Sequence, residues 1–74
     1  MTKDDAIDYV KTHDFMFSRF KDYNPIIKDY VWIEDEKVVR VICELSKGKE
    51  KGQAYFNVSL WDIEREILLE KLRA

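Results

Sequence analysis

Ile26-Ile27-Lys28-Asp29-Tyr30-Val31-Trp32-Ile33, then Glu34-Asp35-Glu36-Lys37, then Val38-Val39-Arg40-Val41-Ile42-Cys43-Glu44-Leu45: this stretch decides the fold. Both apolar runs are rich in β-branched and aromatic residues, which suit a pleated, half-buried backbone. Each run also alternates with a period of two, so that one face of each strand collects the apolar residues. The four charged residues between them are too few for a helix and polar enough for a connection. A β-hairpin is the reading, with strands at about 26–33 and 38–45.

Working outward toward the C-terminus, Ser46-Lys47-Gly48-Lys49-Glu50-Lys51-Gly52 holds both glycines of the chain in a polar loop. Gln53 to Ser59 then alternates again and predicts a third strand at about 53–59. Ser59, with Asp62 three residues on, reads as a helix N-cap and its reciprocal partner. A helix over about 60–73 follows. At about 100° per residue, Leu60, Trp61, Ile63, Ile67, Leu68 and Leu72 fall on one broad apolar face with Leu69 at its margin. That face is wide for a helix resting on a single sheet.

Toward the N-terminus, Thr2 precedes Asp5 by three residues, another capping arrangement, and Ala6, Tyr9, Val10, His13, Phe17 and Phe20 recur at helical spacing. A helix is predicted over about 3–23, ending before Asn24-Pro25. Thr12-His13-Asp14 is its weak point, because three poor helix formers sit together and Asp14 could cap a second short helix. The fold class is therefore α+β, one small domain in the order α-β-β-β-α, with a three-stranded antiparallel meander packed against two helices.

Composition sets limits on function. The 74 residues are 46% hydrophobic and 14% aromatic, which is globular, and 13 Lys and Arg against 15 Asp and Glu leave a net charge of −2. Such a balance draws the chain to neither nucleic acid nor an anionic membrane. One cysteine, Cys43, forms no internal disulfide, and with one histidine, His13, it supplies too few ligands for a structural zinc site. The polar start Met1-Thr2-Lys3-Asp4-Asp5 is unlike a secretion signal, and no run reaches the ~20 apolar residues of a membrane span. A cytoplasmic location is expected.

The inventory for catalysis is poor. His13 reads as a capping or partly buried side chain, and Cys43, placed mid-strand, as an inert apolar thiol. The acidic groups Asp4-Asp5, Glu34-Asp35-Glu36 and Asp62/Glu64/Glu66 lack the spacing of a calcium loop. No enzyme activity, metal or cofactor is expected.

A binding role has more support. Strict alternation through β1 places Ile27, Val31 and Ile33 on the core face with Val39, Val41, Cys43, Leu45, Ala54, Phe56, Val58 and Leu60, interrupted by Asp29. The opposite face then carries Tyr30, Trp32, Arg40, Ile42 and Tyr55, an aromatic and aliphatic surface that something should cover. These five residues are the candidate partner-binding set, since Trp, Tyr and Arg dominate interface energetics. The expected partner is another protein, either a foreign one that the chain regulates or inhibits or a second copy of itself in a homodimer. Compact chains of this kind are frequent among products of phages and mobile elements, and such a source is expected by association alone.

The order helix, three strands, helix is similar to that of the double-stranded-RNA-binding domain. That family meets phosphates with a lysine cluster at the start of its last helix, where this chain has Ser59-Leu60-Trp61-Asp62-Ile63-Glu64. Its glycine-proline-histidine loop is replaced by Glu34-Asp35-Glu36-Lys37. The alternative function is accordingly RNA binding through the lysine-rich loop, with Lys47, Lys49 and Lys51 as its contacts.

Overall fold

A computed structural model describes residues 1–13 and 18–73. Helix α1 spans Lys3–Thr12, a short 3-10 helix spans Ser18–Tyr23, strands β1, β2 and β3 span Ile26–Ile33, Val38–Lys47 and Glu50–Ser59, and helix α2 spans Leu60–Arg73. The three strands form one antiparallel sheet in the order β1-β2-β3. The α-β-β-β-α order is thus the one read from the sequence.

Local chemistry fixes the ends of these elements. The Thr2 hydroxyl accepts from the Asp5 N–H at 3.2 Å while the Asp5 carboxylate accepts from the Thr2 N–H at 3.1 Å, which satisfies two otherwise unpaired donors. At the other end α1 does not run on to residue 23. His13 leaves the helical region with φ −123 and ψ 147, and its N–H closes the last turn on the Tyr9 carbonyl. The poor helix formers at Thr12-His13 give way there, and the chain resumes as the 3-10 turn that carries Phe20 onto Phe56. Asp14, the residue that could cap a second helix, lies outside the described residues with Phe15, Met16 and Phe17. Ser59 and Asp62 form the second reciprocal cap, at 3.1 and 3.2 Å.

The β2–β3 connection is tighter than the expected seven-residue loop. Lys47 pairs with Glu50, leaving only Gly48-Lys49 in the turn. Gly48, at φ 61, takes the positive-φ first position that a two-residue hairpin of this kind needs. Both strands therefore extend to the hairpin tip.

One buried cluster holds the layers together: Ala6 and Val10 of α1, Val39, Val41 and Cys43 of β2, Phe56 and Val58 of β3, and Ile63 of α2. Both helices lie on the same side of the sheet, and the chain measures only 16 Å in its thinnest direction. That thickness accommodates a sheet and one helical layer, since packed layers sit about 10 Å apart. No described element covers the second face of the sheet.

Candidate functional site

The register of β1 against β2 changes which residues stand on that second face. Ile27 faces Cys43, but Asp29 faces Ile42 and Tyr30 faces Val41, so one extra residue, at Lys28, is accommodated between Ile27 and Asp29. This β-bulge reverses the alternation of everything after it. Tyr30 and Trp32, opposite Val41 and Val39, lie on the helix side and pack against the buried cluster. Val31 and Ile33, opposite Arg40 and Val38, lie on the outer side. The expected five-residue surface is therefore divided: Arg40, Ile42 and Tyr55 share the outer face, whereas Tyr30 and Trp32 belong to the core side.

Both displaced aromatics have partners where they are. The Lys11 ammonium lies 5.5 Å from the centre of the Tyr30 ring, and the Trp32 indole N–H donates to the Glu34 carboxylate. Glu34 also takes a hydrogen bond from Lys37. Together these hold its carboxyl below the usual range, the Lys37 contact contributing most and the Trp32 contact next.

The outer face is built in rows of cross-strand neighbours: Ile33, Val38 and Ser59; Val31, Arg40 and Asn57; Asp29, Ile42 and Tyr55. Arg40 occupies the middle of it. Its Nε donates to Asn57 Oδ1 at 3.0 Å, its guanidinium sits 4.4 Å from the centre of the Tyr55 ring, and Glu36 lies 3.6 Å from Nη2. A diagonal cross-strand contact of this type holds a long side chain flat and limits its rotamers before any partner arrives. Around it Val31, Ile33 and Ile42 are half-buried and Tyr55 is 56% exposed. Val38 is buried yet stands apart from the main cluster, as an outer-face position would.

Strand β3 is one of the two edges that border this face. Leu60 N–H donates to the Lys37 carbonyl at 3.1 Å, so residues 37 and 60 form a hydrogen-bonded pair. In an antiparallel ladder such pairs recur every second residue, which makes 39/58, 41/56, 43/54 and 45/52 the bonded pairs. The N–H and C=O groups of Gln53, Tyr55 and Asn57 consequently point away from β2, along an edge that no described strand pairs with. Ser59 shares that orientation, and its N–H is taken by Asp62. From Gln53 to Ser59 this edge strand carries no charge and no proline, two of the usual devices that keep edges from pairing.

The remaining candidates are placed as follows. Lys47 lies 5.5 Å over the Tyr23 ring and pairs with Glu50, while Lys51 pairs with Ser46, so successive lysine-bearing pairs alternate between the two faces. They do not line up as a single basic stripe. An open hollow of about 350 Å³ at the hairpin tip is lined by Tyr23, Leu45, Lys47 and Glu50 among others. His13 caps α1: its ring stacks on Tyr9 at 3.8 Å, Nδ1 lies 2.9 Å from the Tyr9 carbonyl oxygen, and Nε2 lies 3.3 Å from Glu70. The Tyr9 hydroxyl donates to the same carboxylate at 3.0 Å. Burial first, then that hydrogen bond and the charges of Glu70 and Glu66, push Tyr9 up to about 12. Cys43 is fully buried, and burial raises its thiol. Among the described residues no three of His, Cys, Asp and Glu converge as metal ligands, and no helix is long and apolar enough to cross a membrane.

No family model, curated protein or solved structure matches the chain. Its own surface is what speaks to its function.

Sequence reasoning missed Val31, Ile33 and the open edge of β3. The signal for the first two was Asp29, the one charged residue interrupting the supposed core face of β1, directly after another charge at Lys28. Two adjacent charges in an otherwise apolar alternation are what a bulge with both side chains toward water looks like.

Proposed function

We propose that this chain is a cytoplasmic protein-interaction module that regulates or inhibits a larger partner by occupying its surface with the outer face of the sheet. The observation that supports this reading most is Arg40, fixed between Asn57 and the Tyr55 ring at the centre of a face lined by Val31, Ile33 and Ile42 that no described element covers. Arginine and tyrosine held rigidly among apolar neighbours lose little conformational freedom on binding, which is the property of interface anchors. The adjoining β3 edge offers the backbone groups of Gln53, Tyr55 and Asn57 to an extended segment of the partner, so that main-chain pairing and side-chain contacts reinforce one another.

Affinity capture from the native host, comparing the unaltered chain with Arg40→Glu, tests the reading. The charge reversal removes the Tyr55 stacking and places a carboxylate at the centre of the face, and partner recovery should fall at least tenfold. Undiminished recovery by a folded Arg40→Glu chain would refute the assignment of this face.

A further inference from the structure

Helix α2 carries two apolar sides, and the fold uses only one. Leu60, Ile63 and Ile67 turn toward the buried cluster. Trp61, Leu68 and Leu72 do not: they are 65%, 55% and 73% exposed. Together with Arg65 they recur at intervals of four, three and four residues, so that all four fall within about 60° of one another around the helix. This is the spacing of a and d positions in a coiled-coil seam, over a little less than two heptads, on a helix of about 21 Å. Arg65 already lies along it, its guanidinium 4.6 Å from the centre of the Trp61 ring and its Nη2 3.4 Å from Asp62.

We propose that this seam pairs with the same seam of a second copy of the chain, with the two α2 helices antiparallel about a two-fold axis. The charges select that occupant and that direction. A parallel pair would set Arg65 directly against the second copy's Arg65 across the seam, a like-charge contact with apolar neighbours. An antiparallel pair instead sets Trp61 beside Leu72 of the second copy, and Arg65 beside its Leu68, where the aliphatic stem of the arginine can cover leucine while its head stays in water. The same superposition brings Glu64, on the flank of the seam, next to Lys71 of the second copy, and the two-fold axis repeats that pair. Within one helix Glu64 and Lys71 are seven residues apart and too distant to serve each other, so their complementarity is satisfied only between chains. Two turns of seam per chain make a small contact, in the class of weak and reversible interfaces. The surface is separate from the outer sheet face, and both can be occupied at once.

Sedimentation equilibrium over micromolar to roughly millimolar concentrations tests the pairing. The average mass should climb from monomer toward dimer, and Leu68→Glu, an exposed position whose change leaves the core intact, should hold the chain at monomer mass with its circular dichroism unchanged. Glu64→Lys and Lys71→Glu should each weaken association about tenfold, since each replaces two opposite-charge contacts by two like-charge ones. Mixing these two single variants should restore association as a heterodimer, because position 64 of each chain then meets the opposite charge at position 71 of the other. A chain that stays monomeric throughout overturns the proposal, as does a dimer indifferent to Leu68→Glu. A mixture that associates no better than its components overturns the antiparallel assignment.

Discussion

Replacing Trp32 by alanine separates the two possible placements of that side chain. On the outer face, Trp32→Ala would remove an exposed contact and change stability by a few tenths of a kcal/mol. On the helix side, where the bulge puts it, the indole packs against the cluster of Val39, Val41 and Phe56 and is half-buried. A tryptophan in such a position hides roughly 100 Å² of apolar surface, worth about 2.5 kcal/mol at ~25 cal/mol per Å². Incomplete collapse of the surrounding side chains and loss of the Glu34 hydrogen bond offset the part of that area alanine keeps covered, which leaves a cost of about 2–3 kcal/mol. A domain of this size has only about 3–5 kcal/mol in total. With a urea dependence of about 1 kcal/mol per M, the midpoint should fall by about 2–3 M, leaving a chain that is partly unfolded in buffer. The companion variant Tyr55→Ala, on the outer face, loses mainly its stacking with Arg40 and should cost no more than about 1 kcal/mol. Urea unfolding followed by far-ultraviolet circular dichroism reads both variants without relying on tryptophan emission. A Trp32→Ala chain as stable as its parent, beside a strongly destabilised Tyr55→Ala, would refute the register.

Further expectations follow from the same geometry. In the free chain, amide exchange along β3 should alternate, with Ala54, Phe56 and Val58 protected and Gln53, Tyr55 and Asn57 exchanging much faster; uniform protection would mean that the edge is covered. Thr2→Ala should remove the hydroxyl half of the reciprocal cap of α1 and cost about 1 kcal/mol, measured by thermal unfolding. Because hydrogen bonds from the Thr2 backbone and then its hydroxyl lower the Asp5 carboxyl, Asp5 stabilises the fold above its ordinary value of 3.8, and this contribution disappears as pH falls through the lower folded value. The acid limb of the stability profile should be shallower in Thr2→Ala than in the parent. Tyr9 behaves oppositely: folding keeps it protonated, so its contribution is complete below its ordinary value of 10.0 and is lost as pH rises through about 12. A Tyr9→Phe chain should lack that alkaline loss, and an unchanged alkaline limb would count against the burial of the Tyr9 hydroxyl beside Glu70.

The elements were legible because their signals are local. Both caps join residues three apart, and the strands of the hairpin announce themselves by alternation over eight or more positions. The side-chain faces of β1 were harder to read, since a single extra residue at Lys28 shifts the parity of everything up to Ile33, and its only local sign is the pair of adjacent charges Lys28-Asp29. For the same reason the five candidate residues fall on two faces: Arg40, Ile42 and Tyr55 sit on β2 and β3, whose register runs without interruption, whereas Tyr30 and Trp32 lie beyond the bulge. On α2 the sequence showed apolar residues around much of the helix, but which of them the core would take depended on where the sheet lay. Leu60, Ile63 and Ile67 won that competition, leaving Trp61, Leu68 and Leu72 outside.

The most direct test of the outer sheet face as the binding surface is hydrogen exchange of the chain with and without its captured partner. New protection should appear at Gln53, Tyr55 and Asn57, with α2 unchanged. Protection that develops elsewhere while these amides go on exchanging at their free rates would contradict the account.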